Sequence, residues 1–149
     1  MRIAAARGVR LMRALAAACA VLGLAAALPA GAQPAQPSIV GTWEWTRKSN
    51  GCSEQYVFRD DGTVAITSRD ERLDSRFRMA WSPEPTGRYR LEMNVVKDHG
   101  GRDCGDADQD DTGRAQTLYA LFSQSRETMI LCGSVEGRDC LGPLRRVAK

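Results

Sequence analysis

The sequence predicts an all-β domain, an eight-stranded antiparallel up-and-down barrel stapled by disulfides. Three observations carry that expectation. Strand-like segments recur at hairpin spacing from residue 40 to the end, helical periodicity is absent over the same stretch, and turn-forming clusters separate the segments. The period of two is plainest in Arg76-Phe77-Arg78-Met79-Ala80-Trp81 and in Arg88-Tyr89-Arg90-Leu91-Glu92-Met93-Asn94-Val95. Successive side chains of a strand point to opposite faces, so alternation of this kind marks a strand buried on one side. Asp60-Asp61-Gly62, Pro83-Glu84-Pro85-Thr86-Gly87 and Gln124-Ser125-Arg126 supply hairpin turns. Eight short strands joined this way make a sandwich or a barrel, and only the barrel leaves a solitary domain without an exposed edge.

In chain order, residues 1–32 read as a secretory signal peptide. Arg2, Arg7, Arg10 and Arg13 form a basic start without an acid, a small-apolar run follows to Leu28, and Ala30-Gly31-Ala32 supplies the cleavage site. The apolar run is shorter than the roughly 20 residues that a membrane span needs. Its removal turns the precursor's +3 into about −1, since 17 basic groups remain against 18 acidic ones. A nucleic-acid partner is therefore not expected, nor a membrane one after cleavage, and the location implied is periplasmic or secreted. Residues 33–38 (QPAQPS) offer nothing to bury and read as a flexible lead, and 39–149 as one domain.

Strands are expected over 40–46, 54–59, 63–68, 75–82, 88–96, 115–123, 127–132 and 141–147. Trp43, Trp45, Tyr56, Phe58, Val64, Ile66, Phe77, Met79, Trp81, Leu91, Met93, Leu118, Phe122, Met129 and Leu131 would face inward. Hairpins alternate between the two ends of such a barrel, so the loops after strands one, three, five and seven share a rim. Those loops hold Cys52, Cys104, Cys132 and Cys140, four of the five cysteines, the fifth being Cys19 in the leader. An even count in a small exported chain reads as two disulfides. Three pairings are possible, and joining adjacent loops suggests Cys104 with Cys132 and Cys52 with Cys140.

The loop after strand five is rich in Asp and Gly. Asp106, Asp108 and Asp110 stand at alternate positions, as in a calcium loop, but Asp111 takes the place of the required Gly and Thr117 that of the terminal Glu. A solvated acidic loop with no metal is the expectation, with those three aspartates the weak calcium candidates. The single histidine, His99, restricts triads and metal centres, and no nucleophile elbow or phosphate-cradling loop is present. No enzyme activity and no cofactor are expected. Arg76, Arg78, Arg88 and Arg90 fall on the polar face of strands four and five, a basic stripe able to meet an anionic partner.

Gly41-Thr42-Trp43 at the start of the first strand, with Arg145 and Arg146 in the last, resembles the calycin superfamily (lipocalins and their relatives), and more narrowly small exported bacterial lipocalin-like proteins. The resemblance implies that one of Arg145 and Arg146 lies across the Trp43 ring and closes the barrel, where a planar guanidinium stacks on indole and caps strand-end carbonyls. The function expected is binding. A small hydrophobic ligand would sit in a shallow cup lined by Trp45, Tyr56, Phe77, Met79, Trp81 and Met93. The alternative is a protein-binding module, inhibitor- or immunity-like, that uses the stapled rim. An open interior favours the first and a filled interior the second.

Overall fold

The computed structural model describes residues 36–148, so the predicted signal peptide and residues 33–35 lie outside the described residues. Eight strands follow in order: β1 Gly41–Thr46, β2 Ser53–Phe58, β3 Thr63–Ser68, β4 Glu71–Met79, β5 Tyr89–Asp98, β6 Ala115–Phe122, β7 Thr128–Cys132 and β8 Cys140–Arg146. Each pairs antiparallel with its neighbour in sequence, and β8 returns to β1 to close the barrel.

Register decides what the inside contains. Trp43 lies opposite Tyr56, Tyr56 opposite Ile66, and Ile66 opposite Leu73, so one apolar row runs around four strands. A second row links Phe77, Met93 and, one step along, Leu91. Trp43, Phe58, Val64, Leu91, Met129, Leu131 and Leu144 are fully buried. Phe58 meets Phe77 edge to face at 4.9 Å, and Trp43 meets Phe122 at 6.1 Å, arrangements that the ring quadrupole favours. Burying a large apolar side chain contributes about 1.5–3 kcal/mol, so this filled centre supplies most of the driving force.

Two expectations fail here for identifiable reasons. The segment expected to be a loop between the third and fourth strands is mostly strand, because β4 begins at Glu71 and Ser68 pairs directly with Glu71. Polar Glu71 and Ser75 occupy inward positions and hide the alternation that Leu73 would have revealed. Trp81 is not in the core but 86% exposed, since β4 ends at Met79 and the chain has already turned. Ile39, Leu73, Val95, Ala120 and Leu144 join the core instead.

Closure is uneven. The ladder between β1 and β8 holds two pairs, Trp43–Arg146 and Glu44–Arg145. In the same register Pro143 would come opposite Thr46, and a proline has no N–H to continue the ladder. The gap widens into a lateral cleft of about 780 Å³ lined by Trp45, Lys48, Pro143 and Arg145, among others.

Candidate functional site: the two ends of the barrel

At the end carrying the cysteines, the β5–β6 loop folds across the barrel mouth. Gly100 and Gly101 adopt positive φ (80° and 105°), which turns the chain inward at once. A Cβ on Gly101 would overlap the backbone of Asp70 and Glu71, so only glycine permits this approach. The Arg102 carbonyl then accepts from the N–H groups of Asp70 and Glu71 at 3.0 and 3.2 Å. Two residues on, the Cys104 N–H donates to Ser68 Oγ, and Asn50 Nδ2 donates to the Cys104 carbonyl.

The disulfides correct the expected pairing. Cys52 is bonded to Cys104, and Cys132 to Cys140. Adjacency in the strand order misled, because the long loop leans inward over β2–β4 rather than outward towards β7. Cys52–Cys104 is therefore a strap across the mouth, whereas Cys132–Cys140 joins directly paired residues of one hairpin.

Beneath the strap lies a polar interior. Glu71 is 8% exposed, and the Tyr56 hydroxyl donates to Glu54 Oε2 at 2.8 Å beside it. Desolvation raises the Glu71 carboxyl from its ordinary value to about 7, reinforced by the charges of Asp98, Asp103, Asp111 and Glu54. Burial likewise pushes the Tyr56 phenol up, helped by Glu54. The Asp-rich part of the loop holds itself together: Asp103 Oδ1 accepts from the N–H groups of Gly105 and Ala107, and Asp110 Oδ1 accepts from the Thr112 N–H. Arg69 takes Asp106 as an ion pair. The candidates Asp106 and Asp110 thus face different partners, and among the described residues no three acidic, His or Cys groups converge as a metal site would require. His99 Nε2 bonds Asp74 at the surface.

The opposite end is closed without a covalent bond. The Arg146 guanidinium carbon lies 4.2 Å from the centre of the Trp43 ring, and its Nη1 and Nη2 donate to the carbonyls of Val40 and Ser38 at 2.8 Å each. Trp43 Nε1 donates to the Ile39 carbonyl. Gly41 belongs to the arrangement, since a Cβ there would lie 2.6 Å from Arg146 Nη1. Arg145 is exposed and shares none of these contacts. The lead expected to be flexible is docked over its described part: Gln36 reaches the Ala80 carbonyl, and Ser38 is held by Arg146.

Docking the lead leaves a groove of about 460 Å³ between it and the β4–β5 hairpin, with Pro37, Ile39, Val40, Phe77, Met79 and Trp81 as its apolar lining. The six residues expected to line one cup therefore part company. Phe77, Met79 and Trp81 meet at this groove, Tyr56 and Met93 are buried in the core, and Trp45 borders the lateral cleft with Arg47 over its ring. Of the basic stripe, Arg76, Arg78 and Arg90 remain exposed, while Arg88 is covered by the β7–β8 loop and donates to the Val135 carbonyl. Sequence reasoning missed Glu71 and the docked lead. A single carboxylate at an inward position beside Leu73 was the available signal for the first, and a proline-rich segment gives none for the second. Set against family models, curated proteins and solved structures, the chain matches none of them.

Proposed function

We propose that this chain is an exported binding protein whose ligand is a small apolar molecule held at the groove beside Trp81, at the rim rather than inside the barrel. The observation that carries the reading is Trp81 itself, an indole 86% exposed at the lip of an apolar groove. Large apolar side chains left in water at a concave site mark binding surfaces. The groove's volume falls within the roughly 300–1,000 Å³ usual for small-molecule pockets. Export is supported by the basic-then-apolar leader and by two disulfides, which persist in oxidising compartments. Membership of the calycins is supported by Gly41, Trp43 and Arg146 acting as one unit. The reading is of binding without catalysis.

The test is titration with a neutral fluorescent naphthylamine, comparing wild type with Trp81→Ala and Ile39→Ala. Saturable binding lost in Trp81→Ala supports the groove, and binding that survives both variants sinks it. A second reading, protein recognition by the strapped rim, is favoured by the rigid Cys52–Cys104 lid and predicts instead that loop substitutions such as Asp108→Ala abolish partner binding.

A further inference from the structure

We infer, resting on the groove as the binding site, that its ligand is a small amphipathic anion, with its apolar chain in the groove and a carboxylate head across Trp81 at Arg78 and Arg90. Trp81 does not stand at the edge of one hollow but between two. On one side is the apolar groove. On the other is a hollow of about 250 Å³ lined by Arg78, Met79, Ala80, Trp81, Arg90 and Glu92. Met79 and Trp81 belong to both, so a ligand lying over the indole would touch both at once.

The second hollow is cationic. Register places Arg78 opposite Glu92, with Arg90 two residues along the same strand. Glu92 receives one arginine on each oxygen, Arg78 Nη2 and Arg90 Nη2, both at 2.7 Å. Two guanidinium groups around one carboxylate leave a net single positive charge. A guanidinium carries five N–H donors, so most of them remain for solvent or a ligand. The two arginine side chains are 82% and 51% exposed. Arg78's hydrogen bond and the charges of both arginines hold the Glu92 carboxyl below its ordinary range, so the charge balance persists around neutrality.

The opposite side has no such bias. In the groove Arg59 and Asp60 offset one another, and the remaining lining is apolar or neutral. The site is therefore apolar at one end and cationic at the other, with an aromatic ring between them, and the complement is a molecule with a hydrocarbon body and an anionic head. A membrane surface fits less well. Among the described residues, only Val40 of the exposed large apolar side chains lies with Trp81 at the groove, too little for an apolar face that inserts into lipid.

The experiment uses three twelve-carbon probes below their micelle thresholds: dodecanoate, dodecyl maltoside and dodecyltrimethylammonium. Tryptophan fluorescence is read on wild type and Arg78→Gln/Arg90→Gln, with Trp81→Phe isolating the Trp81 signal from Trp43 and Trp45. Dodecanoate is expected to bind about tenfold more tightly than the maltoside, and the ammonium most weakly. In the double variant dodecanoate falls to the level of the maltoside, whose own affinity is unchanged. Raising salt narrows the same gap in wild type. Equal affinity for all three heads overturns the anion while leaving the groove intact. Failure of all three to bind overturns the groove as well. A Trp81 shift with phosphatidylglycerol vesicles but none with dodecanoate makes the surface a lipid anchor and overturns the inference.

Discussion

One end of this barrel is closed by a disulfide drawn across carboxylates, and the other by a guanidinium laid on an indole. The difference follows from what each end contains. Under the strap sit Glu54, Ser68 and Glu71, which gain little from leaving water, and the two carboxylates repel one another when ionised. A covalent tie supplies the closure that hydrophobic burial does not. At the other end Trp43, Phe122, Ile39 and Leu144 bury apolar surface outright, and one arginine suffices to cap the carbonyls above them. That economy leaves room for a groove, whereas the strapped end is covered.

The largest effect should come from the strap. Closing 52 residues, Cys52–Cys104 is expected to contribute about 4 kcal/mol on the chain-entropy account, and Cys132–Cys140, closing eight, about 2.5 kcal/mol. Denaturant melts of the two paired Cys→Ser variants measure both. If the comparison holds, losing the strap exposes amides of the β5–β6 loop to hydrogen exchange and leaves binding at Trp81 unchanged.

Next in size is the non-covalent closure. Arg146→Ala should cost about 1–3 kcal/mol through the lost stacking and the unpaired carbonyls of Val40 and Ser38. Arg145→Ala should stay within about 0.5 kcal/mol of wild type. A double-mutant cycle with Trp43→Phe checks the coupling, and equal effects from the two arginines would break the assignment.

Glu71 makes the two ends respond differently to pH. Its carboxyl titrates at about 7 in the folded chain, above its ordinary 4.5. Below the ordinary value both states hold the proton. Between the two values the unfolded chain has released it and the folded chain has not, so stability falls as pH rises through this window. Above about 7 both are ionised and the slope vanishes. The loss should be on the order of 2 kcal/mol and absent in Glu71→Gln, which should be the more stable protein at pH 8. A wild-type melting temperature that is flat from pH 5 to 8 would refute it.

The smallest effect is expected from calcium. With Asp106 paired to Arg69 and Asp110 capping Thr112, added calcium or chelator should move the melting temperature by less than about one degree. A rise of several degrees, lost in Asp108→Ala, would reopen the loop as a metal site.

What could be read directly from residue order is local or periodic. Alternation along 88–95 and the turns at Asp61-Gly62 and Pro85-Thr86-Gly87 carry the strands, and eight strands in hairpin order leave few architectures besides a barrel. Hairpin parity brought all four cysteines to one rim, because that depends only on counting turns. The pairing of those cysteines depended on which way a loop leans, and this was decided by Gly101 passing over the β3–β4 turn. Which of two adjacent arginines meets Trp43 rested on strand register, a relation between β1 and β8 separated by most of the domain. The predicted cup dissolved for the same reason. Alternation says which face a side chain takes, but not how far along the barrel it sits, so Tyr56 went to the core while Met79 and Trp81 met the docked lead at the rim. Short-range sterics and periodicity are written in neighbouring residues, whereas depth, pairing and burial of a charge are set by contacts between distant ones, which form only when the chain has closed on itself.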